Sequence, residues 1–103
     1  MIQGIVDIDN INIDDVIEKF VYKFKPCGKL IAANGTIHVY FVERFYFRMG
    51  SEVAATVIFE LNGKNDIAVH IAIAGGRDMF GVSLGAQDSM FKRLKNFFRK
   101  LDE

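Results

Sequence analysis

The sequence predicts an α+β domain in which two helices pack on one face of a curved antiparallel sheet of about six strands. Three observations predict it. Apolar residues recur at helical spacing near both ends of the 103-residue chain. The middle of the chain alternates with a period of two, and turn signals interrupt this alternation about every ten to fifteen residues. The elements follow in the order β-α-β-β-β-β-β-α, and the simplest assembly of them has two layers.

The composition predicts that residues 1–103 form a single packed domain. Half of the residues are apolar and only one is proline, which excludes a disordered chain. A domain of about 100 residues buries enough surface to fold without disulfides. The 13 basic and 13 acidic residues cancel to zero formal charge, which argues against a protein built mainly to hold nucleic acid.

Cysteine usage and the start of the chain predict a cytoplasmic protein. Cys27 is the single cysteine, so neither an intramolecular disulfide nor a thiolate zinc cluster can form. The first ten residues carry Asp7 and Asp9 and lack the basic start of a signal peptide. No run of about 18 apolar residues follows, so no membrane segment is expected.

The first quarter of the chain predicts a strand and a capped helix. Residues 2–8 alternate weakly and form the strand. Asn12 is placed to cap a helix that begins at Ile13, and Pro26 ends this helix. The apolar stripe of the helix consists of Ile13, Val16, Ile17, Phe20, Val21 and Phe24.

The middle of the chain predicts a meander whose strands span residues 29–33, 36–48, 52–61, 66–74 and 79–84. Asn34-Gly35 is the signal of a two-residue type I′ hairpin turn, and three-residue loops at 49–51 and 63–65 follow. Odd positions of the long strands are apolar with one exception and are expected to face the core. They are Ile37, Val39, Phe41, Phe45, Phe47, Val53, Val57, Phe59, Leu61, Ile67, Val69, Ile71 and Ile73.

The end of the chain predicts a second amphipathic helix with a basic outer side. Its apolar stripe consists of Met90, Phe91, Leu94, Phe97, Phe98 and Leu101. Five basic residues and no acid lie between Lys92 and Lys100, whereas acids predominate before Lys19. We expect the acidic first helix to pair with the basic last one, which leaves little basic surface for nucleic acid or a membrane.

Glu43 is the exception on the expected core face, where strict alternation places it between Phe41 and Phe45. Burial in an apolar pocket turns a carboxyl group into a candidate general acid or base. The alternative is a β-bulge at Glu43-Arg44, or exposure at an edge, which keeps the carboxylate in water. No other catalytic motif is present, so the sequence favours a protein that is not an enzyme.

The even positions of the strands predict a binding face. One strand carries large polar and aromatic side chains there, and its neighbours carry mainly alanine and threonine. Tyr, His and Arg are enriched at interfaces and stack on planar groups. We expect this face to bind a second copy of the chain or an anionic or planar ligand, and the alternative is a solvated sheet face. The candidate residues are His38, Tyr40, Arg44, Tyr46, Arg48 and His70.

The two histidines do not predict a metal site, and no cofactor is expected. The loop lengths predict that His70 lies opposite Ile58, and that Ile58 lies opposite Val42. The imidazoles of His38 and His70 are then on the order of 15 Å apart. A zinc ion needs three or four ligands at about 2 Å.

One segment resembles known proteins. The stretch AIAGGRDMFGVSLGAQDSMFKRLKNFF, residues 72–98, resembles that of small bacterial proteins grouped as a family of unknown function. The predicted order of elements is similar to the TATA-binding-protein-like fold and to a reduced helix-grip fold. A likeness of topology implies no activity, and the chain lacks the repeated halves of a true TATA-binding protein.

Two functions follow from these patterns. In the first, the chain is a small binding or assembly module that forms a homodimer through the even-position face. In the second, the helices and the sheet enclose a cavity for a small apolar ligand, with Glu43 as its polar group; the cavity is lined by Phe41, Phe45, Phe59, Phe91 and Phe98. The first is favoured, because the ten phenylalanines are expected to fill the core of so small a domain.

Overall fold

The computed structural model describes residues 2–46, 51–75 and 84–102, and the side chains of residues 2–43, 52–74 and 88–101. One antiparallel sheet has the strand order β1-β5-β4-β3-β2. Helix α1 connects its two edge strands, and α2 follows β5. The elements are β1 (Ile2–Ile8), α1 (Ile13–Phe24), β2 (Gly28–Ala32), β3 (Ile37–Tyr46), β4 (Ser51–Leu61), β5 (Ile67–Gly75) and α2 (Leu84–Asp102).

The fold is therefore α+β, with five strands in the described part of the chain rather than the six expected. The sixth strand was predicted at 79–84. Residues 79–83 lie outside the described residues, and Leu84 is the first residue of α2.

Local signals set the bounds of α1 as predicted. The Asn12 side chain accepts a hydrogen bond from the backbone N–H of Asp15, at 3.0 Å, and so satisfies one of the unpaired donors of the first turn. At the other end Lys25 adopts the left-handed conformation, with φ of 48°, and its N–H bonds to the carbonyl oxygen of Val21. Pro26 follows and cannot continue the helix.

The Asn34-Gly35 turn is also confirmed. Asn34 has φ of 57° and ψ of 35°, and Gly35 has φ of 87°, which are the angles of a type I′ turn. The N–H of Thr36 closes the turn on the carbonyl oxygen of Ala33, at 3.1 Å. This turn fixes the register of β2 against β3.

The two remaining hairpins differ in how well their registers were predicted. His70 pairs with Ile58, as the loop at 63–65 predicts. Ile58, however, pairs with Val39 and not with Val42. Tyr46 pairs with Ser51, whereas the predicted loop at 49–51 would pair Arg48 with Glu52; residues 47–50 lie outside the described residues.

This shift by an odd number of residues turns β3 over relative to β4. The expectation that the odd positions of β3 face the core is therefore wrong. Tyr40 and Val42 are buried instead, next to the odd positions of β4 and β5. Val39 and Phe41 lie on the opposite face.

Both helices pack against the face that carries Tyr40 and Val42. The centre of this core is an aromatic cluster in which the Phe20 ring of α1 lies 5.5 Å from Tyr40, 5.3 Å from Phe59 and 5.7 Å from Phe98. Fully buried side chains of both helices complete it, and they are Val16, Phe20, Phe24, Met90, Leu94 and Phe98. The stripes predicted for the two helices are thus confirmed except at Val21, which is exposed.

Gly4 allows α2 to approach the edge strand β1 closely. A Cβ atom at Gly4 would lie 2.6 Å from the Cζ atom of Phe91, which is far inside van der Waals contact. The absent side chain therefore makes room for an aromatic ring of α2.

We predict that Gly4→Ala lowers the free energy of unfolding by about 1 to 3 kcal/mol, because the ring of Phe91 must move. Urea denaturation followed by circular dichroism measures this loss. Gly63→Ala is the matched control, since the nearest atom to a Cβ there is 3.7 Å away. In a double-mutant cycle the loss should shrink in a Phe91→Leu background, and an undiminished loss would show that this contact is not its cause.

Candidate functional site

The candidate site is the face of the sheet that lies opposite the helices, here called the open face. Backbone pairing places the odd positions of β1 and β3 on it, together with the even positions of β2, β4 and β5. In the described part of the chain, both helices pack on the other face.

Two neighbouring rows of side chains, here called the apolar band, cross the middle of the open face. One row consists of Ile5, His70, Ile58, Val39 and Leu30. The other consists of Gln3, Ala72, Thr56, Phe41 and Gly28. At its two ends Ile5 is 58% exposed and Leu30 is 60% exposed, so the band reaches solvent at both edges of the sheet.

Acidic residues flank the apolar band at both strand ends. Asp7 and Glu60 occupy the next row on one side, and Glu43 and Glu52 lie beyond the band on the other. Among the described side chains of the open face there is no lysine or arginine. The face therefore combines an apolar centre with an acidic rim.

His70 is one of three polar residues in the apolar band, with Gln3 and Thr56. Its Nε2 atom lies 3.1 Å from Oε1 of Glu60, and both side chains are more than a third exposed. A pair so open to water contributes less than about 1 kcal/mol to stability. Its role is to orient the imidazole between Ile5 and Ile58.

The structure does not bring the six predicted site residues together on one face. Tyr40 is only 4% exposed and packs against Phe20 and Phe59. His38 lies on the same side, and its Nε2–H donates to the carbonyl oxygen of Gly35, at 2.9 Å. The prediction of a shared face with His70 is wrong, because the odd register shift turns β3 over.

The remaining predicted site residues fall outside the described side chains. Arg44 and Tyr46 belong to β3, where their backbones pair with Val53 and Ser51. Arg48 lies outside the described residues. Of the six, His70 is the one whose described side chain lies on the open face.

The hypothesis that Glu43 is a buried acid or base is also wrong in its premise. Glu43 is exposed and pairs with Ala54. The β3–β4 ladder is continuous from Ile37 to Tyr46, so no bulge is needed to place the carboxylate in water. Glu43 is exposed because the observed register places the odd positions of β3 on the open face.

The predicted ligand cavity does not form from the residues named for it. Phe41 lies on the open face, on the opposite side of the sheet from Phe59. The rings of Phe59 and Phe98 contact each other at 5.7 Å and are fully buried. The side chain of Phe45 lies outside the described residues. The aromatic residues described between helices and sheet thus fill the core.

Among the side chains that the structure describes, no ion pair joins the two helices, contrary to the expectation. The described ion pairs of the helices are Lys19 with Asp15 and Lys92 with Asp88, each at 2.9 Å within one helix. Cations at the helix interface contact rings instead. Lys23 of α1 lies 5.4 Å from the Phe97 ring centre.

Arg93 of α2 makes the reciprocal contact, at 5.9 Å from the ring centre of Phe24. Lys100 lies in the same groove between the helices. Sequence reasoning missed this cluster of cations. The sequence feature that could have revealed the cluster is the spacing of Arg93, Asn96 and Lys100, which places them on one side of a helix.

Comparisons of the chain with protein-family models, with curated proteins and with solved structures found no match. The resemblance of residues 72–98 to a bacterial family therefore stays a prediction. In the described ranges, no helix is long and apolar enough to cross a membrane. The same residues contain no cluster of three or more side chains that could hold a metal ion.

We predict that Val42→Asp lowers the free energy of unfolding by about 3 to 5 kcal/mol, because it buries a charge beneath the helices. Val39→Asp should cost clearly less, about 1 to 2 kcal/mol, because Val39 is half-buried on the open face, where a carboxylate reaches water. Urea denaturation at low micromolar protein compares the two. If the variant at position 39 suffered the larger loss, the observed β3 register would be contradicted.

Proposed function

We propose that this chain is a small binding or assembly module that forms a homodimer through the open face of its sheet. The observation that carries the proposal is the apolar band, which spans all five strands and ends in the exposed side chains of Ile5 and Leu30. Apolar side chains in such a band are desolvated when a second sheet covers them.

The size of the open face supports a partner of similar extent. Five strands about 4.8 Å apart make the sheet about 24 Å wide. Taking a mean strand length of about 28 Å, the face measures about 700 Å². A standard interface buries about 800 Å² on each partner. The whole face is thus close to the size needed, with the band as its apolar centre and the acids as its rim.

The acidic rim limits how two copies can meet. Sheets that pack face to face align their strands within about 30° or cross them near 90°. In an aligned pair the acids of Glu60 and Glu43 would face acids of the other copy, and like charges repel across such an interface. In a crossed pair the two apolar bands overlap at their centres, and Glu60 and Glu43 of each copy lie near the ends of the other copy's band rather than opposite its acids. The charge pattern therefore favours the crossed arrangement.

We also propose that the protein is cytoplasmic and is not an enzyme. The location is supported by Cys27, the single cysteine, whose thiol is exposed and free, as thiols are in a reducing compartment. A binding role is supported by Glu43, whose exposure removes the reason for assigning it acid or base chemistry.

Ile58→Glu tests the dimer. Ile58 lies at the centre of the band, between His70 and Val39, so a new carboxylate there would be buried against the second copy. We expect size-exclusion chromatography with light scattering to give a mass near twice 11.7 kDa for the natural chain and near 11.7 kDa for the variant.

Val21→Glu is the matched control, because Val21 is an exposed apolar residue of α1 on the opposite side of the sheet. It should leave the dimer mass unchanged. Circular dichroism establishes that both variants fold. A natural chain that stays monomeric at about 1 mM, where even a weak dimer would be populated, contradicts the proposal.

A further inference from the structure

A second surface, on the helix side of the protein, is basic and aromatic. Two grooves meet there at the contact between Lys23 and Phe97, and together they are called the helix groove. The groove between the helices is lined by Lys23, Arg93, Asn96, Phe97, Lys100 and Leu101. The adjoining groove along α1 includes Lys19, Tyr22, Lys25 and Phe97.

Three cations converge in the part of the helix groove that lies between the helices. Lys23, Arg93 and Lys100 form no ion pair with the acids whose side chains are described. Arg93 and Lys100 are seven residues apart on one helix, which corresponds to about 10 Å along its axis. Each of these three cations can contact one phosphate of a bound strand.

An aromatic side chain stands beside these cations. Tyr22 is 83% exposed, and its ring lines the same groove as Lys19, Lys23 and Lys25. Exposed rings next to a cationic track are the platforms on which unpaired bases stack. Paired bases offer no such face inside a duplex, so the aromatic part of the groove favours single strands.

Two other anionic partners fit the helix groove less well. A membrane would need an apolar surface to insert, but Met90, Leu94 and Phe98 of α2 are fully buried in the core. The Asp and Glu side chains of an acidic peptide would pair with the cations but offer no planar group to stack on Tyr22. Asp15 and Glu18 line the part of the helix groove that runs along α1. The cationic part of the groove is therefore confined to the region around Lys23.

The zero net charge of the chain does not exclude such a site. The sequence disfavours nucleic-acid binding because the acids of α1 are expected to form ion pairs with the bases of α2. The described ion pairs lie within each helix instead. Four acids of the chain lie on the open face, away from the helix groove. The local charge between the helices is therefore positive.

We propose that the helix groove binds single-stranded nucleic acid, with phosphates on Lys23, Arg93 and Lys100 and one base stacked on Tyr22. This site lies on the opposite side of the sheet from the open face, and it does not rest on the proposed dimer.

Fluorescence anisotropy with a labelled oligo(dT) of about 12 nucleotides tests the proposal. The dissociation constant should fall between about 10⁻⁴ and 10⁻⁶ M at physiological salt. A plot of the logarithm of the association constant against the logarithm of the salt concentration should have a slope of about −2. Three phosphate contacts on a single strand release about 0.7 counterion each.

Matched variants separate the site from general charge attraction. Lys100→Gln should reduce the magnitude of the slope by about 0.7, whereas Lys64→Gln, in the loop near the other end of α1, should leave it unchanged. Tyr22→Ala should weaken binding about tenfold through the lost stacking. The variant Ile58→Glu should bind as the natural chain does, so a failed dimer and a failed nucleic-acid site give different results.

Any of four outcomes would overturn this proposal. They are the absence of binding at low salt, equal effects of Lys100→Gln and Lys64→Gln, full affinity after Tyr22→Ala, and equal or tighter binding of duplex DNA, polyglutamate or anionic vesicles. The last outcome would assign the cations to another class of partner.

Discussion

The ladder between β3 and β4 is the constraint that decides which residues form the open face and which lie beneath the helices. It pairs Val39 with Ile58 and so turns Tyr40 toward the helices. There the Tyr40 ring meets the edges of Phe20 and Phe59, at 5.5 and 5.7 Å, and Lys29 lies over its face. Aromatic pairs in this geometry gain energy beyond the area that they bury. The contacts of Tyr40 thus hold β3 in the orientation that leaves Val39 and Phe41 on the open face.

The same ladder separates the charges of the chain by face. Because β3 is turned over, Glu43 joins Asp7, Glu52 and Glu60 on the open face, while the bases of α2 lie on the side of the helices. Among the described side chains, the acids of the open face are thus separated from the bases of α2, and the described ion pairs of the helices lie within each helix. Each face attracts or repels partners according to its local charge, since exposed charges are screened beyond about 8 Å in physiological salt.

Sequence patterns predicted the elements that depend on neighbouring residues. The Asn12 cap, the Asn34-Gly35 turn and the register of β5 against β4 each depend on a few consecutive positions, and each was found as predicted. The face of β3 could not be predicted in the same way. Both of its faces are apolar, with Val39 and Phe41 on one and Tyr40 and Val42 on the other. Glu43, which broke the odd series, was the signal that this series faces water.

The candidate site was harder to predict than the fold, because a site combines residues whose proximity depends on tertiary structure. His38 and His70 both occupy even positions, yet the odd register shift places them on opposite faces. Likewise, nothing in the spacing of Lys23 and Arg93 indicates that they lie over Phe97 and Phe24, because that contact depends on how α1 packs against α2. The register and the helix packing are separate determinants. A change at position 39 or 58 alters the open face alone, whereas a change at position 100 alters the helix groove alone, so the two surfaces can carry independent functions.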